Sequence, residues 1–429
     1  MRVENDKARK RYGLEWQGSG QIGGFMDNSI GVYIHIPFCK SKCYYCDFNS
    51  YSGREYLAGS YFDTLFSEIK SRAAGLSDRL VRSIFIGGGT PSLVDPTYIT
   101  QLLEVCSKHM RVHKNAEISM ESNPGTLTYE HLKAYRAAGV NRLSIGLQAW
   151  QDRLLRDLGR IHNKQQYVEN LDAAYRAGFR NINTDLIFGL PGQTFEDWVE
   201  TLEEVTSLHS GSDGGTGLTS SLTHLSCYDL KVEEGTVFGE RLAAGTLNPA
   251  DDELDRQMYH YTVKALAKKG FRQYEISNFA IPGYECRHNI VYWKALEYAG
   301  FGAGAHSYLD GFRFSNVEGV EKYIGSNFHG IEYSGSMKNE PMLKDQTEAI
   351  LIDREEAMSE FMILGLRLTD GIFQREFEER FGIGLKQVYG DELDKLVQKG
   401  LLIYEEKRGC YRLSETGLDF ANEVFIEFL

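Results

Sequence analysis

From residue 31 onward, short β-branched runs alternate with segments whose apolar residues recur every three or four positions. The runs GVYIHIPF (31–38), VRSIFIGGG (81–89), EISMESNP (117–124), NRLSIGLQ (141–148), NINTDLIFGLP (181–191) and HLSCYDL (224–230) predict six strands. Between them lie helical patterns: YFDTLFSEIKSRAAG, YITQLLEVCSKHM, TYEHLKAYRAAG, KQQYVENLDAAYRAG and TFEDWVETLEEVTSL. Strand–helix–strand units repeated in this way imply parallel strands joined by right-handed crossovers. Six such units predict an α/β fold, a partial (β/α)6 barrel of the TIM type, rather than an open dinucleotide-binding sheet. No G-x-G-x-x-G opens the first helix, which further disfavours the dinucleotide reading.

The pattern changes towards the C-terminus. Helical stretches (REEAMSEFMILGLRL, FQREFEERFG, LKQVYGDELDKLVQKG) precede a hairpin-like LLIYEEKRGCYRLS and a last helix. Helices followed by a hairpin predict a mostly helical, winged-helix-like module over 344–429. That span holds 11 Lys/Arg against 19 Asp/Glu, so a DNA-reading role lacks its basic surface. The remaining divisions are a polar N-terminal extension (1–30), a barrel core (31–235) and a completing and linking region (236–343). Residues 210–221, SGSDGGTGLTSS, read as a flexible inserted loop. Met26 is an alternative start to Met1.

Charge and cysteine usage narrow the function classes. A formal net charge of −13 argues against a chain that coats nucleic acid or anionic lipid. No run reaches the eighteen or so apolar residues needed to span a bilayer. The first 25 residues lack the apolar core of a secretory signal, so a cytoplasmic location is expected. Seven cysteines, three of them in one cluster, fit a reducing compartment where thiolates serve metals.

Those three are Cys39, Cys43 and Cys46, spaced C-x3-C-x2-C directly after the first predicted strand. A structural zinc site is the plain alternative, but such sites close with four ligands in two C-x2-4-C pairs, and the second pair is absent. Cys106, Cys227, Cys286 and Cys410 are scattered singly and read as buried small hydrophobes. Three cysteines suit a [4Fe–4S] cluster with one iron left open to a small chelating molecule. IFIGGGTPS (84–92) ends the second strand with glycines that let backbone groups approach a ligand, and G-K-[ST] of a P-loop is missing. Glu121, Gln148 and Asp185 fall at or near later strand ends, and Arg160 follows in a loop. Each alone reads as solvated or capping. Together they converge on the C-terminal mouth of a barrel, where barrel enzymes build their sites.

At this point the chain resembles the radical S-adenosylmethionine superfamily, and within it the oxygen-independent coproporphyrinogen III oxidases and their relatives, the heme chaperones. The matching stretches are YIHIPFCKSKCYYCDF, GGGTPSL, ESNPGT, RLSIGLQ, NTDLIFGLPGQT, EEGT, YEISNFA, RHNIVYW, GFGAGAHS and EFMILGLRLTDGI. The resemblance implies a [4Fe–4S] cluster and S-adenosylmethionine, with Tyr33, Gly88, Glu121, Gln148, Arg160 and Asp185 contacting that ligand. Gly89, Thr90 and Tyr45 match positions that in the oxidase hold a second copy of it. The oxidase pattern carries one more cysteine two residues after the triplet; here Phe48 stands there, as an aromatic does in the heme-chaperone branch. The implied function is therefore heme binding and transfer to an unidentified acceptor apoprotein, with an electron donor for the cluster and a homodimer left open. The alternatives are porphyrinogen decarboxylation and radical modification of heme. RHNIVYW (287–293) makes His288 the candidate axial ligand, with Tyr292 and Trp293 flanking the macrocycle. His306 and His35 are expected to be buried structural residues near the cluster.

Overall fold

The structure, a computed structural model, describes residues 28–208, 222–326, 328 and 349–429. The N-terminal extension up to residue 27, the Gly/Ser-rich 210–221 and the expected boundary at 344 lie outside the described residues.

The six predicted strands form as β1 (Ser29–Ile36), β2 (Leu80–Gly88), β3 (Arg111–Ser122), β4 (Arg142–Gln148), β5 (Ile182–Phe188) and β6 (Leu222–Asp229). They pair in sequence order and are parallel throughout. Every residue of β4 is buried, as expected of a parallel strand covered on both faces. The third strand begins six residues earlier than its apolar pattern suggested. Its added stretch, Arg111–Ala116, is mostly polar and joins the sheet because Leu80 and Val81 pair with Arg111 and Val112.

The crossover helices include α1 (Ala58–Arg72), α2 (Pro96–His109), α3 (Tyr129–Ala138), α4 (Lys164–Arg176) and α5 (Phe195–Ser207). Their starts are fixed locally. Asp95 caps α2 ahead of Pro96, and Asn163 and Thr194 form capping boxes on α4 and α5. Each cap is worth about 0.5–2 kcal/mol.

Six further strands extend the sheet: β7 (Arg272–Glu275), β8 (Asn278–Ala280), β9 (Tyr298–Phe301), β10 (His306–Leu309), β11 (Phe312–Ser315) and β12 (Ile350–Leu351). The order is β12-β11-β10-β9-β1-β2-β3-β4-β5-β6-β8-β7, so the barrel stays partial, with no pairing of its two edges among the described residues. The β9 strand runs parallel to β1, whereas β10, β11 and β12 fold back antiparallel. A buried ion pair, Glu68–Arg72 on α1, anchors this end. Glu68 accepts from Gly302 N (3.0 Å) and Asn316 Nδ2 (2.7 Å), and Arg72 donates to Gly300 O (2.6 Å).

From the helix Arg354–Gly365 onward, a separate apolar cluster forms around Met362, Phe377, Leu393 and Tyr411. Four helices and a three-stranded sheet complete the winged arrangement, with the predicted hairpin as Leu402–Glu405 and Cys410–Leu413. This module is fastened to the barrel. The Thr369 amide donates to Tyr274 O (3.0 Å), Arg380 donates to the carbonyls of Lys294 and Ala295, and Arg313 meets Glu360 in a two-bond fork.

Candidate functional site

The register of the parallel strands brings their polar ends to one level. Ile36 lies opposite Gly88, Glu121 opposite Ser144, and Gly146 opposite Asp185. The cysteine loop leaves β1 here, closed by a two-residue pairing of Phe38–Cys39 with Tyr51–Ser52. The amides of Gly89 and Thr90 donate to Ile36 O and Phe38 O, both at 2.8 Å. A Cβ on Gly89 would stand 2.7 Å from Phe38 O and 2.9 Å from Ile36 O, so glycine is required for this approach. Thr90 Oγ1 lies 3.6 Å from the sulfur of Cys39, and Arg160 Nη1 lies 3.4 Å from that of Cys43. Burial pushes the Cys39 and Cys46 thiols up, a penalty that a metal holding them as thiolates removes. All three cysteines are free.

Beside the loop, Glu121 Oε2 accepts from the Gly88 amide at 3.0 Å. Burial, reinforced by the charge of Asp185, pushes its carboxyl up to about 7. Asp185 accepts from Ser144 Oγ and Asn183 Nδ2, both at 2.8 Å. Arg160 donates from Nη2 to Gly146 O (2.6 Å) and to Asn123, while its buried Nε has no partner among the described residues. Gln148 sits at φ 74°, in the left-handed region, where the strand register slips. Burial pushes the phenols of Tyr33 and Tyr45 up. Tyr33 holds His35 by a 2.9 Å bond, and the charge of Arg160 pulls Tyr45 back.

The strand ends therefore bring two carboxyl groups, Glu121 and Asp185, and a guanidinium with a spare N–H to one mouth beside Gly88 and Gly146. That donor set suits a ligand bearing both an ammonium and a carboxylate. Beyond the three thiols, no second C-x2-4-C pair stands in the chain to close a four-ligand zinc site. Cys39, Cys43 and Cys46 would hold an iron–sulfur cluster, which when bound supplies an open iron and an electron.

At this mouth lies a cavity of about 310 Å³ that takes in Tyr33, Gly88 and Glu121 and is walled further by Phe48, Tyr292, Tyr298 and His306 among others. Here the structure corrects three expectations. RHNIVYW is a helix, α6 (Arg287–Trp293), capped by the Glu117 carboxylate on the amides of Arg287 and His288. His288 is 1% exposed, with Nδ1 bonded to Ser83 Oγ (2.9 Å) and Nε2 to Tyr292 OH (3.0 Å). Neither nitrogen is offered to the cavity, and burial pushes the ring down to about 3. Trp293 turns away towards the C-terminal module, under the guanidinium of Arg367 at 4.5 Å. His306, expected to be buried, is exposed and lines the cavity, whereas His35 is buried as expected.

Asn123, Glu117, Tyr298 and Asn49 were not singled out from the sequence. Asn123 was legible within ESNPGT. The other three act through contacts that no local spacing encodes.

The barrel and its cysteine mouth define a radical S-adenosylmethionine protein. Residues 33–205 match the Radical SAM superfamily and residues 352–420 the HemN C-terminal domain. Within that superfamily, the chain belongs to the family of the heme chaperone HemW. It is 36% identical to the heme chaperone HemW of Bacillus subtilis, covering 93% of this chain and 98% of the relative. It is 34% identical to that of Lactococcus lactis (93% and 97%) and 32% identical to that of Escherichia coli (93% and 98%). The solved coproporphyrinogen III oxidase HemN of Escherichia coli, described as a radical SAM enzyme, shares the fold at a TM-score of 0.77 and 22% identity, over 95% of this chain and 91% of that one. A radical SAM domain carries an iron–sulfur cluster and S-adenosylmethionine. No helix among the described residues is long and apolar enough to cross a membrane.

Proposed function

We propose that this protein binds heme beside its cluster and passes it to an acceptor apoprotein in the cytoplasm. One observation carries the reading: an aromatic-walled cavity of about 310 Å³ opens at the cluster mouth, sharing Tyr33, Gly88 and Glu121 with the S-adenosylmethionine residues, and Phe48, 62% exposed, forms part of its wall. An oxidase-type site would place a cysteine at that position. Aromatic faces suit a macrocycle, and burial against them contributes about 25 cal/mol per Å². The names of the relatives support the same reading. Cys39, Cys43 and Cys46 hold the [4Fe–4S] cluster. Tyr33, Gly88, Glu121, Gln148, Arg160 and Asp185 face S-adenosylmethionine, and Tyr45, Gly89 and Thr90 border them. Residues 31–235, 236–343 and 344–429 act as barrel core, completing region and C-terminal module.

The test is anaerobic. Cluster-loaded protein is titrated with heme, then mixed with a heme-free acceptor whose own spectrum reports transfer. A parallel incubation supplies coproporphyrinogen III, S-adenosylmethionine and reductant. Stoichiometric heme binding, transfer and no protoporphyrinogen are expected. Protoporphyrinogen accumulation replaces this reading with the oxidase, and a chemically altered heme replaces it with a heme-modifying enzyme.

A further inference from the structure

Three histidines stand in or near the cavity, and their ring nitrogens are not equivalent. His35 has Nδ1 on Tyr33 OH (2.9 Å) and Nε2 on Asn49 O (2.7 Å), and is 5% exposed. His288 has both nitrogens engaged behind Tyr292, as described above. His306 opens β10, is exposed, and lines the cavity; among the described residues its imidazole has no hydrogen-bond partner. It is the histidine of the three with a nitrogen free to meet a ligand.

An exposed histidine is common; its mounting is what sets His306 apart. The backbone leading into it passes through Gly302 and Gly304, both at positive φ (95° and 72°). A Cβ on Gly302 would stand 2.5 Å from His35 O, and one on Gly304 would stand 2.5 Å from Asn49 Nδ2. Glu68 and Tyr61 hold the amides of Gly302 and Ala303, and Asn49 Nδ2 holds Ala303 O at 3.1 Å. The imidazole therefore projects from a fixed turn, as a preorganised ligand must. Elsewhere in the wall, Tyr292 and Tyr298 pack edge to face with centroids 4.7 Å apart, and Phe48 lines the rim. Aromatic walls and one unengaged imidazole match a flat macrocycle whose metal takes an axial nitrogen.

Resting on the heme reading above, we propose that His306, and not His288, supplies the imidazole nitrogen to the heme iron, with Tyr292, Tyr298 and Phe48 against the macrocycle. His288 is then a positioning residue that fixes the Tyr292 hydroxyl from behind.

The experiment uses cluster-loaded wild type, His306→Ala and His288→Ala, titrated anaerobically with ferric heme and with metal-free protoporphyrin IX. Absorption difference spectra and electron paramagnetic resonance report the axial ligand. Wild type is expected to show imidazole ligation. His306→Ala loses that signature, regains it with added imidazole, and binds metal-free protoporphyrin as wild type does. His288→Ala keeps the signature. Because His306 is exposed, its alanine variant is expected to unfold at the wild-type temperature. If wild type binds heme and the His306→Ala spectrum is unchanged, or if ligation disappears only in His288→Ala, the ligand assignment is overturned and the heme reading stands. If wild type binds no heme, both fall together.

Discussion

Glu121→Gln isolates one charge in the mouth of the barrel without changing its shape. The Glu121 carboxyl is pushed from an ordinary 4.5 up to about 7 by burial and then by Asp185, while the Gly88 amide opposes the shift. A raised carboxyl means that the unfolded chain has already lost a proton which the folded, ligand-free protein retains. Its contribution to stability is present in full below pH 4.5 and is lost as pH rises through about 7. One pKa unit corresponds to about 1.4 kcal/mol. Allowing for the partly open side of the group, Glu121→Gln in the apo protein should be more stable than wild type by about 1–3 kcal/mol at pH 8, and equal to it near pH 4. Ligand binding should run the other way, because only the carboxylate accepts hydrogen bonds from an ammonium or hydroxyl on both oxygens. The ionised fraction rises from about one tenth at pH 6 to about nine tenths at pH 8, so wild-type affinity for S-adenosylmethionine should increase about tenfold over that span. In the variant the increase should vanish, and the affinity at pH 8 should fall by about 1.5–3 kcal/mol. Thermal unfolding of apo protein and equilibrium binding to cluster-loaded protein, each followed against pH, measure the two halves. Parallel pH profiles for the two proteins would refute both the raised carboxyl and its role at the ligand.

Alanine at Cys39, Cys43 or Cys46 should each abolish four-iron absorbance and most bound iron and sulfide. Full cluster content in Cys43→Ala, or stoichiometric zinc without sulfide, contradicts the assignment. Gly89→Ala places a Cβ 2.7 Å from Phe38 O and should cost about 1–3 kcal/mol while lowering cluster content. An unchanged thermal midpoint with full iron rules out the close approach as a constraint. Glu68→Ala leaves Arg72, 3% exposed, without its carboxylate. It should destabilise the protein by about 3–5 kcal/mol in a denaturant titration, and a loss below about 1 kcal/mol means that the pair is not buried as described.

The sequence alone determined the elements whose cause is local. Periodicity placed six strands and the helices between them, and caps such as Asn163 and Thr194 lie within the segments they start. The C-x3-C-x2-C loop and GGGTPS were equally legible, because ligand spacing and backbone freedom are properties of adjacent residues. Convergence of Glu121, Gln148 and Asp185 followed from parallel strands ending at one face. Only the tertiary structure decided what depends on distant partners. Arg111–Ala116 joins β3 through pairing that its polar side chains do not announce. His288 looked available beside two aromatics, yet Ser83 from β2 takes one of its nitrogens, and the helix turn brings Tyr292 onto the other. His306 looked structural, yet positive-φ turns at Gly302 and Gly304, held by Glu68 more than two hundred residues earlier in the chain, turn it into the cavity. Which histidine is free depends on what occupies its nitrogens, and those occupants come from parts of the chain that meet only once it has folded.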